Sequence, residues 1–241
     1  MAVRGSFTES FPLFGYDLKD YEALFDEKLD LLQLANESTK VNWQGQLTQS
    51  IAGKEVYPRP VQDKLPLWVA TGGHVESTVK IAQAGLPIVY AIIGGNPRYF
   101  KKLIQAYREI GREAGHADKD LKVGAHSWSW IAEDGEQAVK DYFHPTKQVV
   151  DAISKDRPHW QELTYEQYLE QVGPNGAMFV GNPDQVAEKL IRMIEDLDLD
   201  RFMLHLPLGS MPHGQVLRAI ELFGTQVAPK IRAHFAMKEG L

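Results

Sequence analysis

The chain has 241 residues, 44% of them hydrophobic and 10% aromatic, which is enough apolar material to bury a sizeable core and excludes a disordered chain. Lys and Arg total 26 against 32 Asp and Glu, and a net charge of −6 without any basic block argues against a nucleic-acid partner. Cysteine is absent, which removes disulfides, thiolate nucleophiles and the commonest structural zinc ligands together.

Asp17 suits an N-cap, and Leu18, Tyr21, Phe25, Leu29 and Leu32 recur at helical spacing, so a helix with one apolar face is predicted to end near Asn36. Residues 40 to 64 are polar and turn-rich and close on Tyr57-Pro58-Arg59-Pro60, a pattern that predicts an extended loop. Leu67 to Thr71 reads as a short strand ending at Gly72-Gly73, followed by a helix over Val75 to Ala84. Gly85-Leu86-Pro87 stops that helix, and Ile88 to Ile93 is a continuous apolar run, the mark of a strand covered on both faces.

Gly94-Gly95 ends that strand, and Asn96-Pro97 supplies a cap and a first-turn proline for a helix bearing Phe100, Leu103, Ile104 and Tyr107. A third strand is predicted from Leu121 to Ala132, then a helix from about Asp134 and an irregular, aromatic-rich helical stretch from 144 to 172. Ala177 to Val180 leads into Gly181-Asn182-Pro183, where Asn182 caps, Pro183 takes the first helical position and Gln185 completes a capping box. Arg201 to Leu206 is the last strand, before a helix carrying Val216, Leu217, Ile220 and Phe223.

Alternation of strands and helices predicts right-handed βαβ units and a mainly parallel sheet, read as a single domain over 1–241 with no linker or repeat. Four strands stand out clearly, whereas a closed β/α barrel needs eight and typically about 250 residues. Neither a signal-peptide-like segment after Met1 nor a run of ~18 apolar residues is present, so a cytoplasmic protein without a membrane partner is expected.

Three segments resemble the bacterial-luciferase-like flavin-dependent oxidoreductases. They are Val3 to Phe7 with Phe11 to Asp17; Pro66 to Ala70 with Gly72-Gly73, Glu76-Ser77 and Ala84 to Pro87; and Val180 to Lys189 with Leu217 to Gly224 and Val227 to Pro229. The resemblance covers essentially the whole chain. It implies a TIM-type (β/α)8 barrel that is incomplete, its first three to four strands missing before the position matched by Arg4. It implies reduced FMN, or in some branches a deazaflavin, as cofactor, and a monooxygenase using oxygen on a small organic substrate, with a separate flavin reductase as a further partner. The alternative is a catalytically silent flavin-binding or structural remnant of the family, and a third reading is a phosphate-binding barrel of unrelated chemistry.

A flavin phosphate is a dianion, held by backbone amides at a helix N-terminus, a hydroxyl and a fixed cation. Gly72 and Gly73 permit close backbone approach after the strand, and Ser77 supplies a hydroxyl in the next helix; by resemblance Arg4 is the cation. The Gly-Asn-Pro starts at 94–97 and 181–183 read as ordinary caps. The eight histidines show no metal-ligand spacing, so no metal is expected. His126 and His205 fall within predicted strands, either as proton donors at a barrel mouth or as hydrogen-bonded core residues, and neither is assigned a catalytic role. His213 precedes the last helix and suits a cap. Trp128 and Trp130 alternate with Ser127 and Ser129 and share one face, where core packing is the commoner role. A half barrel leaves edge strands and an apolar sheet face uncovered, which predicts a homo-oligomer.

Overall fold

A computed structural model describes residues 2–3, 10–157 and 160–238. These form two compact units, Met1–Ala70 and Thr71–Leu241. Arg4 lies outside the described residues.

In the first unit, strand β1 (Ala2–Val3) pairs in parallel with strand β4 (Val69–Thr71), Ala2 opposite Val69 and Val3 opposite Ala70. Helix α1 (Ser10–Leu13) is a single turn. The Asp17 carboxylate accepts the Lys19 N–H and opens a 3-10 turn, Leu18–Asp20, from which helix α2 (Tyr21–Glu37) continues. The segment read as an extended loop contains an antiparallel hairpin instead, β2 (Lys40–Trp43) with β3 (Ile51–Glu55). Its tip is fixed by an interaction that no local pattern reveals. The Glu27 carboxylate on α2 accepts the backbone N–H groups of Gln46, Leu47 and Thr48 and the Thr48 hydroxyl, which together hold its pKa below the usual carboxylate range. At the end of α2, the Arg59 guanidinium donates to the carbonyls of Ala35, Asn36 and Ser38, partners that a helix C-terminus otherwise lacks.

The second unit is built on parallel strands with helices against them. Helix α3 (Val75–Gln83) leads to β5 (Ile88–Ala91), and a 3-10 turn at Pro97–Tyr99 leads into α4 (Phe100–Glu113) and β6 (Val123–Ile131). Helix α5 (Gly135–Asp156), capped by Asp134, runs on to α6 (Tyr165–Val172), β7 (Phe179–Gly181), α7 (Pro183–Leu197) and β8 (Arg201–His205). The helical stretch expected over 144–172 is the second half of α5, which passes through Pro145, and then the separate helix α6. The proline removes one N–H, and the Thr146 hydroxyl bonds the Tyr142 carbonyl at 2.6 Å beside it. The chain ends in α8 (His213–Leu222), which continues through a π-helical turn at Phe223–Val227 into α9 (Ala228–Lys238).

Strand β6 is the hub. Residues 123–126 pair with β5 along one edge, residues 124–128 with β8 along the other, and Ser129–Ile131 extend beyond to pair with β7. Among the described residues these strands form an open, all-parallel sheet. Ile88, Val89, Tyr90, Val123 and Ala125 are buried, as a sheet covered by helices requires. Tyr90 packs edge-on to Phe100 and meets the Thr78 hydroxyl at 3.2 Å, joining β5 to α3 and α4. Phe179 and Phe202 contact each other on the face that looks to α7, where the Lys189 ammonium stands 5.2 Å from the Phe179 ring.

Lys189 is 9% exposed and runs inward from α7 to donate to the carbonyls of Val172, Gly173 and Met178 at 2.9, 2.7 and 2.6 Å. It closes the C-terminal end of α6 and ties the turn after it to α7. Asp200 and Arg108 do the same between α4, β6 and β8. The Asp200 carboxylate accepts the Val123 N–H at 2.8 Å, and Arg108 donates to the carbonyl of Asp198, the left-handed residue that ends α7.

Candidate functional site

The carboxyl end of β4 passes directly into Gly72-Gly73 and the first turn of α3. Gly73 holds φ +99°, a conformation that favours glycine, and a Cβ there would lie 2.8 Å from the Phe100 ring. Gly72 is exposed, with open space where a Cβ would stand, so its peptide can be approached from outside. His74, the N-cap of α3, makes no side-chain hydrogen bond to the helix. The first intrahelical bond of α3 runs from the Thr78 N–H to the His74 carbonyl, leaving the amides of Val75 and Glu76 ahead of the ladder. Ser77 is 3% exposed and makes a further interaction within the chain.

Several other helix starts in this unit are closed by side chains, though not that of α8, whose N-cap is Pro212. Asn96 accepts from the Arg98 N–H, Asp134 from the Glu136 and Gln137 N–H groups, and Asn182 and Gln185 form a reciprocal capping box. The Gly-Asn-Pro motifs at 94–97 and 181–183 therefore serve as caps, as their sequence suggests. His213 is the first residue of α8 rather than its cap, a position that Pro212 occupies. Gly72, Gly73 and Ser77 all fall in the strand-to-helix turn and first helical turn after β4. Arg4 follows Val3 at the end of β1 and is itself outside the described residues.

A second cluster lies on the sheet and was legible only as isolated residues. Parallel register sets Ala91, His126 and Met203 side by side, and in the next row Trp128 beside His205. The imidazoles of His126 and His205 touch, with ring centroids 5.4 Å apart, and the Trp128 ring lies 6.5 Å from that of Trp160. His126 and Met203 are half-buried and His205 is exposed, so the cluster opens to solvent. Among the described residues neither imidazole has a protein hydrogen-bond partner, which for the half-buried His126 departs from the usual core histidine. Trp130 turns from this group to stack on Tyr142, with centroids 5.9 Å apart, in a core role.

Burial lowers the pKa of both imidazoles below 6.5, and His205 lowers that of His126 further. The folded protein then holds fewer protons on the pair than the unfolded chain does below that pH. This contribution to stability is complete above the ordinary imidazole range and is lost as the pH falls through it toward the lower folded values. Melting temperatures measured from pH 7.5 to 5 are expected to fall, and to fall less steeply in a His126→Gln/His205→Gln variant. An unchanged slope in that variant would contradict the assignment.

Two comparisons bear on these features. The sequence profile described as luciferase-like monooxygenase matches residues 1–200. The chain belongs to the luciferase-like monooxygenase family. Among solved structures, a monooxygenase from Streptomyces bottropensis superposes with a TM-score of 0.77 at 19% identity, covering 94% of this chain and 67% of that one. An F420-dependent secondary alcohol dehydrogenase in complex with an F420-acetone adduct gives 0.64 at 18% identity, covering 95% and 68%. The oxygenating constituent of 3,6-diketocamphane monooxygenase from Pseudomonas putida, a type II Baeyer-Villiger enzyme in complex with FMN, gives 0.60 at 18%, covering 95% and 69%. The fold is that of an incomplete β/α barrel with a mainly parallel sheet, spanning about two thirds of the length of these proteins. No helix among the described residues is long and apolar enough to cross a membrane.

Proposed function

We propose that the chain is an FMN-dependent oxidoreductase acting with reduced flavin and oxygen on a small organic substrate. The observation that carries this reading is the uncapped start of α3 behind an exposed glycine at the carboxyl end of β4, in a chain of this family. A strand-to-helix turn with amides ahead of the helical ladder fits a phosphate dianion, because N–H dipoles and the helix field both favour negative charge there. Two of the similar structures are named with F420 and with FMN, and the terminal phosphate monoester of FMN, a dianion, suits a single helix start. Bound flavin would supply the electron transfer to oxygen, so the chain need not carry a nucleophile of its own.

Within this reading Gly72 and Gly73 let the backbone approach the phosphate, Ser77 steadies the first turn, and Arg4 supplies the balancing cation. The whole chain acts as one domain, assembles as a homo-oligomer that covers the open sheet edges, works in the cytoplasm and receives reduced flavin from a separate reductase. Calorimetric titration with oxidised and reduced FMN tests the site. Arg4→Ala is expected to weaken binding about tenfold, the loss of one charge-assisted hydrogen bond to phosphate, and Ser77→Ala, which loosens the first turn of α3, to weaken it by a smaller factor. Binding of neither flavin form, or variants that bind as tightly as the parent, would remove the basis for the reading. Tight binding without flavin-linked oxygen consumption would instead indicate a silent flavoprotein.

A further inference from the structure

We infer that His126 and His205 receive an oxygen of a flat, uncharged, ring-bearing substrate, with Trp128, Trp160 and Met203 forming the apolar wall beside it. The inference rests on the oxidoreductase reading above and names the substrate class of its site. A half-buried imidazole ordinarily finds a protein partner, and His126 has none among the described residues; the exposed His205 lies against it, with ring centroids 5.4 Å apart. Their side chains project from neighbouring strands onto one face, since Trp128 and His205 are register partners and His126 lies two residues earlier on β6. Ala91, the β5 neighbour of His126 in the same row, is the smallest side chain there.

The chemistry of this group selects for neutrality. A neutral imidazole carries one donor and one acceptor, so two of them can serve a hydroxyl or a carbonyl in either sense. Burial holds both imidazoles toward the neutral form, which disfavours them as partners for a strong anion. Two indoles whose centroids are 6.5 Å apart, with a thioether close by, offer polarisable surface suited to a planar ring. A sulfonate or carboxylate at this place would have to exchange its hydration shell for uncharged donors, whereas a phenol or an aryl ketone loses far less on entry.

The test uses the full chain and two probes that share one ring system, 1-naphthol and naphthalene-1-sulfonate, titrated calorimetrically at pH 7.5. The expected result is that 1-naphthol binds at least about tenfold more tightly than the sulfonate, and that His205→Leu, at an exposed position, weakens 1-naphthol about fivefold while leaving the melting temperature near that of the parent. His126→Gln, which keeps a donor and an acceptor, is expected to retain part of the affinity that His126→Leu loses. Equal or tighter binding of the sulfonate, or 1-naphthol affinity unmoved by both leucine variants, overturns the inference. FMN titrated into the same preparations separates the two readings. Flavin binding without a naphthol preference sinks the histidine pair alone, and a naphthol preference without flavin binding upholds the pair as a ligand site and sinks the flavin assignment.

Discussion

Lys189→Met is expected to lower the unfolding free energy by about 2–4 kcal/mol, the largest stability loss among substitutions of charged residues in the second unit. The ammonium places three donors on three carbonyls, those of Val172, Gly173 and Met178, at 2.6 to 2.9 Å. Methionine matches the stem in length and fills the same space, so the change removes the donors with little loss of packing. Each stranded carbonyl then costs about 1 kcal/mol or more, offset in part because no charge has to be buried. That offset is real here, since burial and the nearby Arg192 push the ammonium's pKa down to about 7. Urea unfolding of the two proteins gives the difference, and amide exchange over 171–178 should accelerate more than over β6. A change within about 0.5 kcal/mol would mean that Lys189 is not what closes α6.

Gly73→Ala is expected to cost FMN at least about tenfold in affinity while leaving the chain folded. At φ +99° an alanine is strained by about 1–2 kcal/mol, and its Cβ would meet the Phe100 ring at 2.8 Å. The ring edge can give way, so the strain is relieved by a small shift of the 72–74 backbone rather than by unfolding. Such a shift re-aims the amides ahead of α3, and a phosphate dianion is sensitive to the direction of each N–H. Riboflavin, which lacks the phosphate, should lose nothing comparable. Equal loss for both ligands would point to a damaged ring pocket instead of a damaged phosphate turn.

The elements that sequence revealed are those whose cause is local. Asn182, Pro183 and Gln185 specify the start of α7 within four positions, and the capping box they predict is present with both hydrogen bonds. The strand core at 88–91 was legible because a continuous apolar run needs cover on both faces. The β2–β3 hairpin escaped because its determinant is remote: Glu27 reaches Gln46 to Thr48 from 19 to 21 residues away, and the intervening chain looks merely polar. Pro145 does not end α5: Tyr142 before it and Val150 after it are buried, and that packing outweighs one missing N–H.

The site divides along the same line. Gly72, Gly73 and Ser77 adjoin one another in sequence and were readable together, helped by resemblance to the luciferase-like proteins. His126 and His205 were each visible as a strand histidine, yet their partnership depends on β8 pairing with β6 in the register Gly124 to Arg201, which nothing local encodes. Their contact, with ring centroids 5.4 Å apart, exists only in three dimensions.

The most direct measurement is the ratio of dissociation constants for riboflavin and FMN on the parent protein at moderate salt. A phosphate seated on the amides ahead of α3 and balanced by a guanidinium should contribute about 3 kcal/mol, so FMN is expected to bind roughly a hundredfold more tightly. If the two flavins bind alike, the turn after β4 holds no phosphate and the account fails at its centre.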